Sequence, residues 1–166
     1  MFLLKILPAP LHRALYRLAH WARKQVWKVR RSNVSGVRVL ALDEAGRVLL
    51  VRHSYGTRSW MPPGGGFGGE EDPVAAGRRE LAEETGCGLH AARLVAVVDE
   101  DLHGATNRVH IVAGRAEGQA MPDRREIVAA RFFPLDALPG AMGKGLADSI
   151  CGWVETYRAQ GPSQQR

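Results

Sequence analysis

Three glutamates stand where an α-helix least tolerates negative charge: Glu80, Glu83 and Glu84. Asp72 followed by Pro73 is a strong helix start, an N-cap oxygen and then a residue with preset φ. Gly86 is the matching stop, able to take the left-handed conformation at the helix end. The three carboxylates therefore fall in the last two turns, at the negative end of the helix dipole. Their i, i+3, i+4 spacing puts them on one face, where they repel one another. No Lys or Arg lies three or four residues beyond them. A bound divalent cation would reverse the sign of each of these terms. A solvated acidic face is the ordinary explanation of such a cluster, but solvated faces interleave charges of both signs, and this one does not.

The helix that carries them needs a second side for packing. Val74 and Leu81 supply it, about 20° apart at 100° per residue. Upstream, Val37 to Leu42 and Val48 to Arg52 are short apolar runs joined by Asp43-Glu44-Ala45-Gly46, the pattern of a β-hairpin. The run Gly64 to Gly66 lets backbone approach a ligand closely, as only glycine can. Downstream, Arg93 to Asp99 and Val109 to Ala113 are strand-like with a turn near His103-Gly104, and Ile127 to Phe133 is a further strand. Leu146, Ile150, Trp153, Val154 and Tyr157 recur at helical spacing, so residues 146 to 159 form an amphipathic helix.

Gly65, Glu71, Arg79, Glu80, Leu81, Glu83, Glu84 and Gly86 together resemble the Nudix box, Gly-x5-Glu-x7-Arg-Glu-U-x-Glu-Glu-x-Gly-U, where U is a bulky aliphatic residue. Chance would match its seven fixed positions about once in 10⁸ starting points. Cys87 departs from the pattern at the last aliphatic position, where it packs as a small apolar residue. Trp60-Met61-Pro62-Pro63-Gly64-Gly65-Gly66 is similar to the family's lead-in, with Pro62 in place of the usual Leu, and Pro134 to Pro139 to its closing segment. The resemblance covers about residues 36 to 159. It implies an α/β fold, an α/β/α sandwich around a mixed β-sheet.

The same resemblance implies a divalent-metal-dependent hydrolase cleaving a diphosphate linkage in a nucleoside diphosphate derivative or nucleotide. Mg²⁺ or Mn²⁺ is the expected cofactor, since carboxylate oxygens are hard ligands. Glu83 and Glu84 would be the principal ligands, Glu80 a further ligand or a base, and the Gly65 backbone would lie against the ion. Arg79 would pair with Glu71, holding loop to helix. Glu126, just before the strand at 127, is the best match for the further downstream glutamate of many members; Ala129 stands where relatives often carry another. Glu100, Asp101, Glu117 and Asp123 are further candidates for that role, with a surface loop charge as the favoured reading of each. The general base stays open among Glu71, Glu80 and Glu126. In the loop 52–60, Arg52 and Arg58 are phosphate-binding candidates, and Tyr55 or Trp60 could stack on a base; packing is the competing reading of Trp60. His110, inside a strand pattern, is read as structural. Markers for individual substrates are missing: His103 stands where ADP-ribose-directed relatives carry Pro, and Gly104 or Ala105 where dinucleoside-polyphosphate-directed relatives carry Tyr. A ligand-binding or regulatory module without catalysis is the alternative, disfavoured by the intact Arg79, Glu80, Glu83 and Glu84.

At 166 residues the chain suits one domain with a real core. Cys87 and Cys151, read in helical contexts, suggest reduced thiols in a cytoplasmic compartment. The net charge of +6 is unevenly placed: residues 1 to 42 hold nine Lys or Arg and no acid, leaving 14 basic against 17 acidic residues, a net of −3. Residues 1–33 form a basic N-terminal extension with Leu11, Ala14, Leu15, Leu18, Ala22, Val26 and Val29 at helical spacing, followed by a domain at 34–160 and a flexible tail at 161–166. Pro8 and Pro10 break its apolar start, which argues against a secretory signal. An amphipathic helix packing on its own domain or on a homodimer partner is the first reading of this extension. Peripheral contact with an anionic membrane surface is the second. The expected partner is a nucleotide-like small molecule, with no specific nucleic-acid binding.

Overall fold

A computed structural model describes residues 34–68, 71–102, 105–124 and 126–161. The expected N-terminal helix, the turn at 103–104 and residues 162–166 lie outside the described residues. Among the described residues eight elements follow in order: β1 (Val34–Leu42), β2 (Val48–His53), β3 (Gly64–Gly66), α1 (Pro73–Thr85), β4 (Gly88–Leu102), β5 (Ala105–Glu117), β6 (Ile127–Phe133) and α2 (Leu146–Ala159). The strands form one mixed sheet ordered β4-β5-β1-β2-β6, with β3 paired to β1. The β1–β5 pairing is parallel and the other pairings are antiparallel.

Alternation along β1 divides the interior. Val37, Val39 and Ala41 face α1, packing with Ala76, Leu81, Cys87 and Val112. Leu40 and Leu42 face α2, packing with Ile111, Ile150, Val154 and Tyr157. A strand buried on both faces reads as a continuous apolar run, which explains the composition of β1 and β2. The result is the helix–sheet–helix sandwich expected from the sequence. The boundaries of α1, α2 and β6 agree with that expectation as well.

Three expectations change. The β1–β2 hairpin closes at its turn, where Leu42 faces Val48, but has no further register pair. Instead, residues 61–66 run between the diverging strands: Val39 N–H donates to Pro63 O at 2.8 Å, and Val51 and Met61 exchange bonds at 2.8 and 3.1 Å. The glycine run is thus wedged into the sheet, which fixes its position against α1. Strands β4 and β5 are also longer than their apolar runs, 15 and 13 residues. Their ends are polar and held by cross-strand pairs, Arg108–Asp99 and His90–Glu117, so hydrophobic alternation does not mark them. Cys87 lies not in a helix but between α1 and β4, fully buried as a small apolar residue.

Candidate active site

The ends of α1 are closed as its sequence requires. Asp72 accepts a hydrogen bond from Ala75 N at 2.9 Å, and Gly86, at φ 71°, donates to Ala82 O. Between those caps, Arg79 ties the box together. Its Nε and one terminal nitrogen donate to both oxygens of Glu71, at 3.0 and 3.1 Å. Its other terminal nitrogen donates to Glu80 at 2.8 Å and lies 3.8 Å from Glu83. One guanidinium therefore serves three carboxylates, and the like-charge face has partial relief from within its own helix.

Glu84 has no such partner among the described residues. Only 7% of the residue is exposed, and its bonded partner is a backbone donor, Gly64 N–H at 3.1 Å. Burial, offset in part by that bond and reinforced by the charges of Glu80, Glu126 and Asp123, pushes its carboxyl up to about 8. Glu80 is also raised, first by burial, with Arg79 opposing and Glu83 and Glu126 adding to the shift. Glu83 is mostly exposed. Glu126, two strands away from β1 across the sheet, thus reaches the electrostatic neighbourhood of both Glu80 and Glu84.

The glycine wedge sits directly beneath these groups. A Cβ on Gly65 would lie 2.6 Å from a Glu80 carboxylate oxygen. Gly64 is at φ 153°, and a Cβ there would fall 2.0 Å from Val37 O. Gly64→Ala should therefore displace the β1–β3 pairing and the donor to Glu84, costing about 2 kcal/mol or more of stability. Urea unfolding checks this; an unchanged midpoint would mean the backbone accommodates the methyl.

Among the described residues, no three carboxylate, imidazole or thiolate groups stand together as a finished metal cage. The donor chemistry nevertheless fits a hard divalent ion. Two carboxylates, Glu80 and Glu84, are held in surroundings that penalise their charge, Glu83 is adjacent, and glycine leaves room beside them.

The remaining candidates are dispersed. Trp60 is in the core, 8% exposed and edge-on to Phe133 at 4.9 Å, with the Arg52 guanidinium 5.5 Å from its ring centroid. Its ring is thus a packing surface for Phe133 and Arg52. Arg52 faces Ala129 across the β2–β6 pairing, Tyr55 packs against His53 at 5.2 Å, and Arg58 is exposed. His110 bonds Gly36 O at 3.3 Å and meets the Phe67 ring. Glu100 forms a two-nitrogen pair with Arg38, and Glu117 pairs with His90. Asp123 is different from the surface loop charge expected of it: it lies beside Glu84 and bonds the backbone of Glu126. Nothing in its immediate sequence marks that role, which depends on the loop folding back onto α1.

The chain belongs to the NUDIX family: the NUDIX domain matches residues 32–151. An RNA pyrophosphohydrolase from Rhodospirillum rubrum is 32% identical over 108 residues, 61% of this chain and 60% of that protein. The chain thus spans about three-fifths of the curated relative it matches. Among solved structures, a MutT NUDIX hydrolase from Burkholderia pseudomallei superposes with a TM-score of 0.64 at 24% identity, covering 72% of this chain and 96% of that one. An ADP-ribose pyrophosphatase from Streptococcus suis 89-1591 gives 0.60 at 25% identity, covering 80% and 97%. The family's fold and the sandwich described above agree.

Proposed function

We propose that this chain is a divalent-metal-dependent pyrophosphohydrolase acting on a nucleoside diphosphate derivative or nucleotide. The observation that carries the reading is Glu84: a buried carboxylate, crowded by Glu80, Glu126 and Asp123, with one backbone donor for compensation. Such a group favours a proton or a cation, and Mg²⁺ or Mn²⁺ satisfies it at neutral pH. Glu80, Glu83, Glu84 and the Gly65 backbone would hold the ion. When bound, it would neutralise charge on the diphosphate and raise the hydroxide character of a water.

The protein's own groups supply positioning, which is most of what phosphoryl chemistry requires. Glu71 gives both oxygens to Arg79, so it acts as the brace between loop and helix. That leaves Glu80 and Glu126 as the groups that accept the proton of the attacking water. Arg52 and Arg58 would bind the phosphates, and Tyr55 would offer its ring to a base. Arg52 has a buried Nε without an acceptor among the described residues, which suits a donor awaiting an anion. Trp60 would support Arg52 from the core.

No helix among the described residues is long and apolar enough to cross a membrane; a cytoplasmic setting and homodimerisation remain parts of this proposal. The test is product analysis with Mg²⁺ or Mn²⁺ on a panel of nucleoside triphosphates, ADP-ribose, nucleotide sugars, dinucleoside polyphosphates and 5′-phosphorylated RNA. Cleavage within a diphosphate linkage of at least one class is expected. Binding without turnover across the panel would favour the non-catalytic module.

A further inference from the structure

We propose that Asp123 is a positioning residue, which clips the backbone of Glu126 and Ile127 and sets Glu126 against Glu80 and Glu84. The inference rests on the catalytic part given to Glu126 above. The clip is visible in four bonds. One Asp123 carboxylate oxygen accepts from Glu126 N at 3.0 Å and from Ile127 N at 2.8 Å, with the second oxygen 3.3 Å from Glu126 N. Arg124 takes a left-handed φ of 59° and its N–H donates to Ile127 O at 3.0 Å. A side-chain oxygen that gathers amides three and four residues on is the familiar means by which aspartate fixes a tight turn.

The same residue is tied to the metal helix. Asp123 N–H donates to Glu84 O at 3.2 Å, and Met121 N–H donates to Thr85 O at 2.9 Å. Those carbonyls belong to the last turn of α1, which lacks intrahelical donors. Asp123 thus holds Glu84 through its main chain and Glu126 through its side chain. On the far side, Ser54 N–H donates to Glu126 O at 2.7 Å, where β2 meets β6. Glu126 is therefore fixed at both backbone groups, by Asp123 and by Ser54, and its charge acts on Glu80 and Glu84 of α1.

The competing role, a direct metal ligand, is separable because asparagine keeps the oxygen that accepts the two amides and loses the charge. Four variants of the full chain decide it: Asp123→Ala, Asp123→Asn, Glu126→Gln and the double variant D123A/E126Q. Each is measured for kcat and KM with Mg²⁺, for Mn²⁺ affinity by calorimetry, and for amide exchange at residues 126 and 127. Asp123→Ala is expected to lower kcat about 10- to 100-fold with KM within about twofold, to weaken Mn²⁺ binding, and to speed exchange at both amides. Asp123→Asn should restore most of the turnover and the protection, and the double variant should be no slower than Glu126→Gln. An Asp123→Asn loss as large as that of Asp123→Ala overturns the proposal in favour of a charge role. Additive losses in the double variant, or full turnover in Glu126→Gln, overturn it too. Wild-type inactivity on every substrate would instead strike the hydrolase reading; Mn²⁺ affinity and exchange in Asp123→Ala and Asp123→Asn would still decide the clip.

Discussion

Replacing Glu84 with Gln lowers turnover by on the order of 10³-fold or more and leaves the folded chain intact. The two halves of this expectation come from one fact. Glu84 is 7% exposed and feels three further carboxylates, Glu80, Glu126 and Asp123, so its charge opposes folding when no cation is present. Glutamine keeps the shape and the oxygen that accepts Gly64 N–H, while removing the repulsion. The metal-free variant should therefore melt at or above the wild-type temperature at pH 8, although it no longer turns substrate over. Most losses of activity by mutation in a buried site come with destabilisation; the opposite sign is what the proposed role of Glu84 in binding a cation predicts. A Glu84→Gln enzyme with wild-type kcat removes Glu84 from the site.

Much of this arrangement was legible in the sequence because its signals are local. The caps of α1, Asp72 and Gly86, act within four residues, whereas the Glu71–Arg79 pair, with Arg79 inside α1, was implied by the resemblance to the family's box. Alternation and helical spacing placed β6 and α2 for the same reason. What escaped depends on contacts distant in the chain. Wedging of residues 61–66 rests on their pairing with β1 and β2, Gly64 opposite Arg38 and Met61 opposite Val51, and β1 finds β5 in parallel, 74 residues away for the His110–Gly36 bond. The polar ends of β4 and β5 are specified by cross-strand pairs that no period-2 pattern records. Asp123 reads as one more charge in a charged loop until that loop donates to the carbonyls of Glu84 and Thr85. Trp60 carries two opposed signals: an aromatic beside a glycine run suits a base, and a T-shaped contact with Phe133 inside the core suits packing. Burial decides between them, and burial is a property of the assembled sheet.

The metal-free protein should lose stability as pH rises from about 4.5 to about 8. The folded-state value of Glu84, about 8, lies above its ordinary 4.5, so between those limits the folded chain binds the proton that the unfolded chain releases. Stability from this group is complete below 4.5 and disappears as pH passes the folded value. At about 1.4 kcal/mol for each pH unit separating the two values, the loss is on the order of 5 kcal/mol, a large part of what holds a domain together. Glu80 is raised for the same first reason, burial, and steepens the slope. Few proteins weaken across this interval, since paired carboxylates give the opposite trend. Millimolar Mg²⁺ should flatten the curve, because an ion bound to the ionised carboxylate stabilises the folded state by mass action. Glu84→Gln should flatten it without metal. Denaturant titrations of both proteins from pH 5 to 8.5, with chelator and with Mg²⁺, give the four curves needed. Parallel curves for wild type and variant under chelator would locate the pH dependence elsewhere, and with it the group that the cation answers.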